Sequence, residues 1–395
     1  MEGAVHHLDE AGRLVSVAID DAVAGRASDL HFEPHDDALV VRMRVDGVVR
    51  ELRRVPKGDE ETVTRRLKSL ARLDPEASGL PQTGAFSVLV GGEPVQLRCT
   101  VIPTVRGEQI ALRIVPDDER ASALPDLGLA PAAEASLAAA LDRTSGLVLV
   151  VGPPGSGKTT TAYTALERLA SAERIVMTLE DPVERTLPGV DHVAVNGAGG
   201  PTFAQGQQAV LRAAPDVLLI GEIRDDETAR AAIEAALGGV LVVSTLLATD
   251  AASSIGRLAE LGVERDLIAN AVHLVVAQRL VRTLCERCRE QYTADEDVRA
   301  LLGVSAGDKE PLLLYRSRGC PKCEGTGFVG RAAVFEVMPV ADTLRDVVRT
   351  GTTKEITAAA GRHGMPVLAR SAMRLARSGG TSLEEALAAV SDLIG

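Results

Sequence analysis

"GLVLVVGPPGSGKTT", residues 146–160, joins a wholly apolar run to the pattern G-x-x-x-x-G-K-T, Gly152 to Thr159. A short run with no polar side chain reads as a strand buried on both faces, and such strands belong to parallel sheets covered by helices. The glycines after it allow a turn whose backbone N–H groups curl around phosphates. Lys158 adds a positive charge, Thr159 a magnesium ligand, and the helix that follows its N-terminal dipole. The stretch Gly152, Pro153, Pro154, Gly155, Ser156, Gly157, Lys158, Thr159 and Thr160 is therefore expected to hold Mg²⁺ and the phosphates of ATP.

Downstream the same texture repeats. "RIVMTLE", "DVLLIGE" and "GVLVVST" are short apolar strands separated by Ala-rich helices, the signature of an α/β fold with a parallel sheet. Aromatic residues make up only 2% and Trp is absent, so the interior must be built from Ala, Val, Leu and Ile, which suits helices packed on a sheet. "DVLLIGEIRD" ends its strand in Glu222, placed to hold magnesium through water or to polarise the attacking water, while Asp225 reads as the cap of the next helix. "TLEDPVE", 178–184, ends in the adjacent carboxylates Glu180 and Asp181, and Glu180 is the candidate general base for water. Three such ends gathered at the carboxyl edge of one sheet point to hydrolysis of the terminal phosphate of ATP.

Upstream the period changes to two. Leu39, Val41, Met43 and Val45 alternate with Val40, Arg42, Arg44 and Asp46, and Asp46-Gly47 supplies a hairpin turn into "VVRELRR". A second hairpin turns at Gly91-Gly92. These features predict an α+β domain over 1–115, a Pro-rich, charged linker over 116–131, and an ATPase domain over 132–395. The net charge of −12 disfavours stable nucleic-acid binding; residues 42–72, with ten Lys or Arg against five acids, are the local exception. They suit either a polyanion or a solvated, subunit-facing surface. No apolar run approaches the roughly 18 residues of a membrane helix and no export signal opens the chain, so a cytosolic location is expected. Cys285/Cys288 and Cys320/Cys323 form two C-x-x-C pairs separated by 31 residues, the spacing of a structural Zn²⁺ site with no open coordination position.

In order along the chain, "SDLHFEP", "RMRVDGVVREL", the phosphate loop, "TLEDPVE", "LIGEIRDDETA", "AQRLVRTLCERC", "GCPKCEGTGFVGRAAVFEV" and "GTSLEEAL" resemble the secretion and pilus-assembly ATPases of the GspE/PilB type, type II secretion ATPases most of all. The resemblance implies a RecA-like P-loop ATPase domain, a smaller N-terminal PAS-like domain and a tetracysteine zinc module spanning 285–323. It also implies a homo-hexamer at the inner face of the cytoplasmic membrane, where ATP hydrolysis turns a platform protein that assembles or extracts pilin-like subunits. Arg98 and Arg113 match family positions whose arginines reach the phosphates, a contribution worth about 10³ to 10⁵ in rate.

The chain departs from the family pattern at informative places. A family arginine falls at Ala85, Gln-Asp falls at Ala213-Ala214, and two histidines fall at Val240 and Leu247. Leu247 donates neither a hydrogen bond nor a proton, which leaves Ser244 and Thr245 as the polar groups expected near that strand end. The chain is also expected to lack the extra N-terminal domain by which many relatives dock. Slow hydrolysis, a nucleotide-binding subunit beside an active paralogue, and a DNA-uptake motor of the same superfamily are the alternatives these features leave open.

Overall fold

The protein is described here by a computed structural model covering residues 10–115, 123–195, 200–302 and 310–393. It divides into two units, Met1–Glu119 and Arg120–Gly395. Among the described residues no helix is long and apolar enough to cross a membrane.

In the first unit α1 (Glu10–Ala24) precedes β1 (Asp29–Pro34), β2 (Ala38–Val45) and β3 (Val48–Pro56); α2 (Glu60–Leu70) then leads to β4 (Gln82–Val90), β5 (Glu93–Thr104) and β6 (Gly107–Val115). The strands form one antiparallel sheet in the order β3-β2-β1-β6-β5-β4. Both expected hairpins turn where the sequence indicates. Alternate residues Leu97, Cys99 and Val101 of β5 enter a core shared with Ala18 and Ile19 of α1 and Val63 and Leu67 of α2. The basic run 42–72 is met by acids of its own unit: Arg42 pairs with Glu33, Arg44 with Asp29, Arg53 with Asp21, Lys57 with Glu60 and Lys68 with Glu108.

Of the expected linker, residues 116–122 lie outside the described residues. Its second half is not a linker. Leu124–Leu127 forms a 3₁₀ turn, and Leu124, Leu127 and Leu129 are buried in the second unit against Leu137, Tyr163 and Leu166. Three leucines in six residues supply enough apolar surface to hold the segment down, which its prolines and acids obscured.

The second unit runs α3 (Pro131–Leu141), β7 (Gly146–Val151), α4 (Lys158–Leu169), β8 (Val176–Glu180), β9 (Asp191–Ala194), α5 (Phe203–Arg212), β10 (Val217–Ile223), α6 (Asp226–Leu237), β11 (Leu241–Leu246), α7 (Ala251–Glu260), α8 (Arg265–Ala271) and β12 (Val272–Leu284). After these come β13 (Glu290–Thr293), α9 (Glu296–Leu301), β14 (Leu313–Arg316), β15 (Phe328–Pro339), α10 (Asp342–Thr350), α11 (Thr353–Arg362), α12 (Leu368–Arg377) and α13 (Leu383–Ala388). Seven strands form one sheet, ordered β15-β12-β7-β11-β10-β8-β9, parallel except for the β12–β15 pair. Leu147, Leu149 and Val151 of β7 face a core with α6, α7 and α8, whereas Val148 faces a second core with α3 and α4. An all-apolar strand is the necessary result of having helices on both sides.

Gly146 opens β7 beneath the His273 ring. A Cβ there would fall 1.8 Å from His273 Cδ2, and the backbone is left-handed at φ 111°, so only glycine fits. Burial, then the charges of Arg143 and Arg345, lowers the His273 imidazole from 6.5 to about 4. The unfolded chain therefore takes up a proton at higher pH than the folded one does, and stability falls as pH drops from 6.5 towards 4. Chemical denaturation across that window should show the loss, and His273→Asn should flatten it; an unchanged slope in the variant would reassign the effect to other groups.

Candidate active site

The phosphate loop leaves β7 at Gly152 and enters α4 at Lys158. Gly152 has φ 156° and Gly157 φ 87°. A Cβ on Gly152 would lie 2.5 Å from the Gln278 carbonyl oxygen, and one on Gly157 3.1 Å from Gln278 Nε2. The loop is thus pressed against β12, and α4 begins directly beyond it with its free N–H groups at the loop. Lys158 is buried, and its Nζ donates to the carbonyls of Gly152 and Pro153, both at 3.0 Å. Burial lowers its pKa; Glu222 acts in the opposite direction and Arg279 in the same one. Among the described residues Ser156 Oγ has no hydrogen-bond partner, although it is buried.

Gln278, part of the stretch "AQRLVRTLCERC" but assigned no role from sequence, fixes this loop from the neighbouring strand. Its Nε2 donates to Ser156 O at 2.7 Å, and its Oε1 accepts from Thr161 Oγ1 at 2.8 Å. β12 pairs with β7 through Ala277 and Val151, so the next residue on each strand brings Gln278 beside Gly152. A lone amide inside the apolar run "VVAQRL" was the available signal. Arg279, one residue on, is also buried and donates from Nη2 to Thr249 O at 2.5 Å.

The carboxylates come from the strands beyond. β11 lies between β7 and β10, and β8 flanks β10 on its other side. Glu222, on β10, accepts from Arg224 Nε at 2.7 Å, and Arg224 Nη2 reaches Asp181 O at 3.4 Å. Asp225 accepts from Thr228 N at 2.9 Å and caps α6, as its place in the sequence indicated. Glu180 ends β8 and is 4% exposed. Its Oε2 takes the Tyr163 hydroxyl at 2.5 Å and its Oε1 lies 3.1 Å from His192 Nδ1. A Cβ built on Gly221 would sit 3.3 Å from Glu180 Cγ, so Glu180 lies against the residue that precedes Glu222. Thr159 Oγ1, the expected magnesium ligand, is 3.4 Å from Glu184 Oε1.

Ser244 and Thr245, the polar groups expected near the end of β11, lie on that strand with their hydroxyl protons engaged. Ser244 Oγ donates to Ile220 O at 2.7 Å and Thr245 Oγ1 to Gly221 O at 2.8 Å, so both hydroxyl protons bind β11 to β10. Leu247, past the strand end, is 44% exposed. In the first unit the register sets Ala85 opposite Arg98, Arg98 opposite Arg113, and Arg113 opposite Asp29, one row across four strands. Arg113 Nε donates to Asp29 Oδ1 at 3.1 Å.

The four cysteines converge from the end of β12 and the start of β15. Cys285 and Cys320 sulfurs lie 3.9 Å apart, Cys288 and Cys323 3.8 Å, and Cys320 and Cys323 3.7 Å. Zn–S bonds of about 2.3 Å in a tetrahedron place sulfurs about 3.8 Å apart, so the donor set fits zinc. Burial works against the Cys323 thiolate, but the N–H groups of Cys320 and Gly327, at 3.2 and 3.1 Å from Sγ, bring the thiol down to about 6.

Comparison with known proteins agrees with this architecture. The family model described as "Type II/IV secretion system protein" matches residues 7–388. The type II secretion system ATPase E of Vibrio cholerae is 38% identical over 375 residues, covering 95% of this chain and 74% of that protein. The type IV pilus assembly ATPase PilB of Thermus thermophilus is 39% identical over 384 residues, covering 96% of this chain and 43% of that one. Among solved structures, the DotB ATPase of Legionella pneumophila superposes with a TM-score of 0.70 at 20% identity over 96% of each chain, a likeness of fold.

Gln278→Ala would leave the buried Ser156 carbonyl and Thr161 hydroxyl without their partner. Calorimetric titration with magnesium and ATP should show affinity reduced about tenfold, on the order of 1.4 kcal/mol. Wild-type affinity in this variant would mean that the loop keeps its shape unaided.

Proposed function

The chain belongs to the type II/IV secretion system protein family, and on that premise we propose that it is an ATP-hydrolysing cytoplasmic motor powering type II secretion or assembly of type IV pilus-like fibres. The observation that carries this reading is the single sheet edge where the Gly152–Thr159 loop, Glu180 and Glu222 end their strands together. Ligands of open α/β sheets bind at that edge.

In this reading the loop amides and Lys158 bind the β- and γ-phosphates, while Thr159 and Glu222 hold magnesium. A magnesium ion bound there neutralises charge spread across the phosphate oxygens. Glu180 takes the proton from the attacking water. Arg98 and Arg113 carry the phosphate-neutralising role that the family resemblance gives them. The acting form is a homo-hexamer peripheral to the inner membrane, working on a platform protein, and zinc holds the four-cysteine module. Turnover in the purified protein should vanish in Lys158→Ala; equal rates in both would end the motor reading.

Zinc analysis should return about one ion per chain, lost in Cys285→Ser together with local folding, because structural zinc contributes on the order of 10 kcal/mol to its module. Full-length protein without zinc would remove that part of the proposal.

A second reading, a nucleotide-binding subunit with little turnover, is favoured by Leu247 and by the committed hydroxyls of Ser244 and Thr245. Under it Leu247→His should raise the rate about tenfold or more by returning a donor. An unaltered rate would leave the motor reading alone.

A further inference from the structure

We propose that Tyr163 and His192 are positioning residues for Glu180, holding its carboxylate in the one orientation from which it accepts a proton from water. The inference rests on the reading of Glu180 as the base of ATP hydrolysis.

Glu180 is nearly fully buried, and the side chains of Tyr163 and His192 that hydrogen-bond to it come from two separate elements. Tyr163 belongs to α4, the helix that starts with Lys158 and Thr159; His192 belongs to the edge strand β9. The direction of each bond follows from the groups around it. The Leu187 amide N–H donates to His192 Nε2 at 3.0 Å, so Nε2 is an acceptor and the ring proton sits on Nδ1. Nδ1 then donates to Glu180 Oε1 at 3.1 Å, with the Thr178 hydroxyl 3.0 Å from the same nitrogen. A protonated Nε2 would point N–H at N–H.

Tyr163 has one proton and gives it to Glu180 Oε2 at 2.5 Å, while its oxygen accepts the Glu184 N–H at 3.3 Å. Burial first, and then the bond to Glu180, pushes the phenol above its ordinary value, so it stays a donor. The two rings stack with centroids 6.2 Å apart, and the Arg185 guanidinium, paired with Glu167, lies 5.0 Å from the tyrosine centroid.

This arrangement uses one acceptor site on each carboxylate oxygen. A carboxylate offers about four, so a water still has a place. Two fixed donors remove the rotational freedom about the terminal torsion that a lone buried carboxylate would keep. Thr159 and Tyr163, four residues apart on one face of α4, both touch the 180–184 segment, so the helix that grips phosphate is also the one that orients the base.

The test measures kcat, ATP affinity and thermal midpoint on the full chain for wild type, Lys158→Ala, Glu180→Gln, Tyr163→Phe, His192→Leu and His192→Asn. Tyr163→Phe and His192→Leu should each lower kcat about tenfold or more with ATP affinity changed less than about twofold, because general-base catalysis depends on geometry. His192→Asn, whose side-chain N–H reaches where Nδ1 stood, should regain most of the loss. If wild type turns over, Glu180→Gln does not, and Tyr163→Phe and His192→Leu both keep the wild-type kcat, the positioning role is overturned. It is overturned equally if kcat falls only in step with ATP affinity or with unfolding at the assay temperature, or if Glu180→Gln retains full turnover. A wild-type rate no higher than that of Lys158→Ala instead sinks the ATPase reading itself, and this inference with it.

Discussion

A strand without polar side chains must be covered on both faces, and β7 is such a strand. Its odd-numbered residues enter one core and Val148 the other, so helices occupy both sides of the sheet and only the strand ends remain for chemistry. Parallel neighbours then bring their carboxyl ends to the same edge. Val151, Leu246 and Ile223 stand in register across β7, β11 and β10, and Leu179 pairs with Ile220 one step over. Every polar group assigned to nucleotide in this unit lies at or just beyond one of those ends. The site is thus a consequence of where apolar residues are not.

What the sequence made legible was local. The phosphate loop, Glu222, the Asp225 cap and the paired cysteines each sit within a few residues whose spacing suggests the chemistry; Asp225 caps α6 and the four sulfurs lie together. What it hid was the support from distant residues. Gln278 reaches Ser156 across 122 positions, and Tyr163 and His192 reach Glu180 across 17 and 12. None shows its role in its local spacing, because a buried amide, phenol or imidazole is defined by the partner it meets and that partner is set by sheet order. The basic run 42–72 is ambiguous in sequence for the same reason, since several of the acids that pair with it come from α1, β1 and β6.

The tetracysteine module is fastened to the C-terminal segment. Leu284 N donates to Gly380 O at 3.0 Å, Arg289 Nη1 to Gly379 O at 2.7 Å, and Arg282 pairs with Glu385 at 2.6 Å while its guanidinium covers Phe328 at 4.1 Å. Four thiolates gathered around one ion would close the long excursion between β12 and β15, and the turn at 379–380 docks on the first C-x-x-C arm. The sulfurs are thus linked both to the ends of β12 and β15 and to the C-terminal helices.

Two buried charges extend that connection to the end of β11. Glu336 on β15 accepts the Ala251 N–H at 2.9 Å and the Leu368 N–H at 3.1 Å, capping α7 and α12 with one carboxylate. Burial raises its pKa, and those two amides oppose the rise, which is the balance expected of a charge kept inside by backbone donors. Arg279 holds Thr249 O from the other side and pairs with Asp392 at 3.2 Å. The 247–250 turn that carries Leu247 is therefore held through the Thr249 carbonyl by Arg279 of β12, and the helix start just after it, Ala251, by Glu336 of β15. The Leu247 side chain, exposed to solvent, takes no part in these supports, so the fold places little demand on which residue stands there.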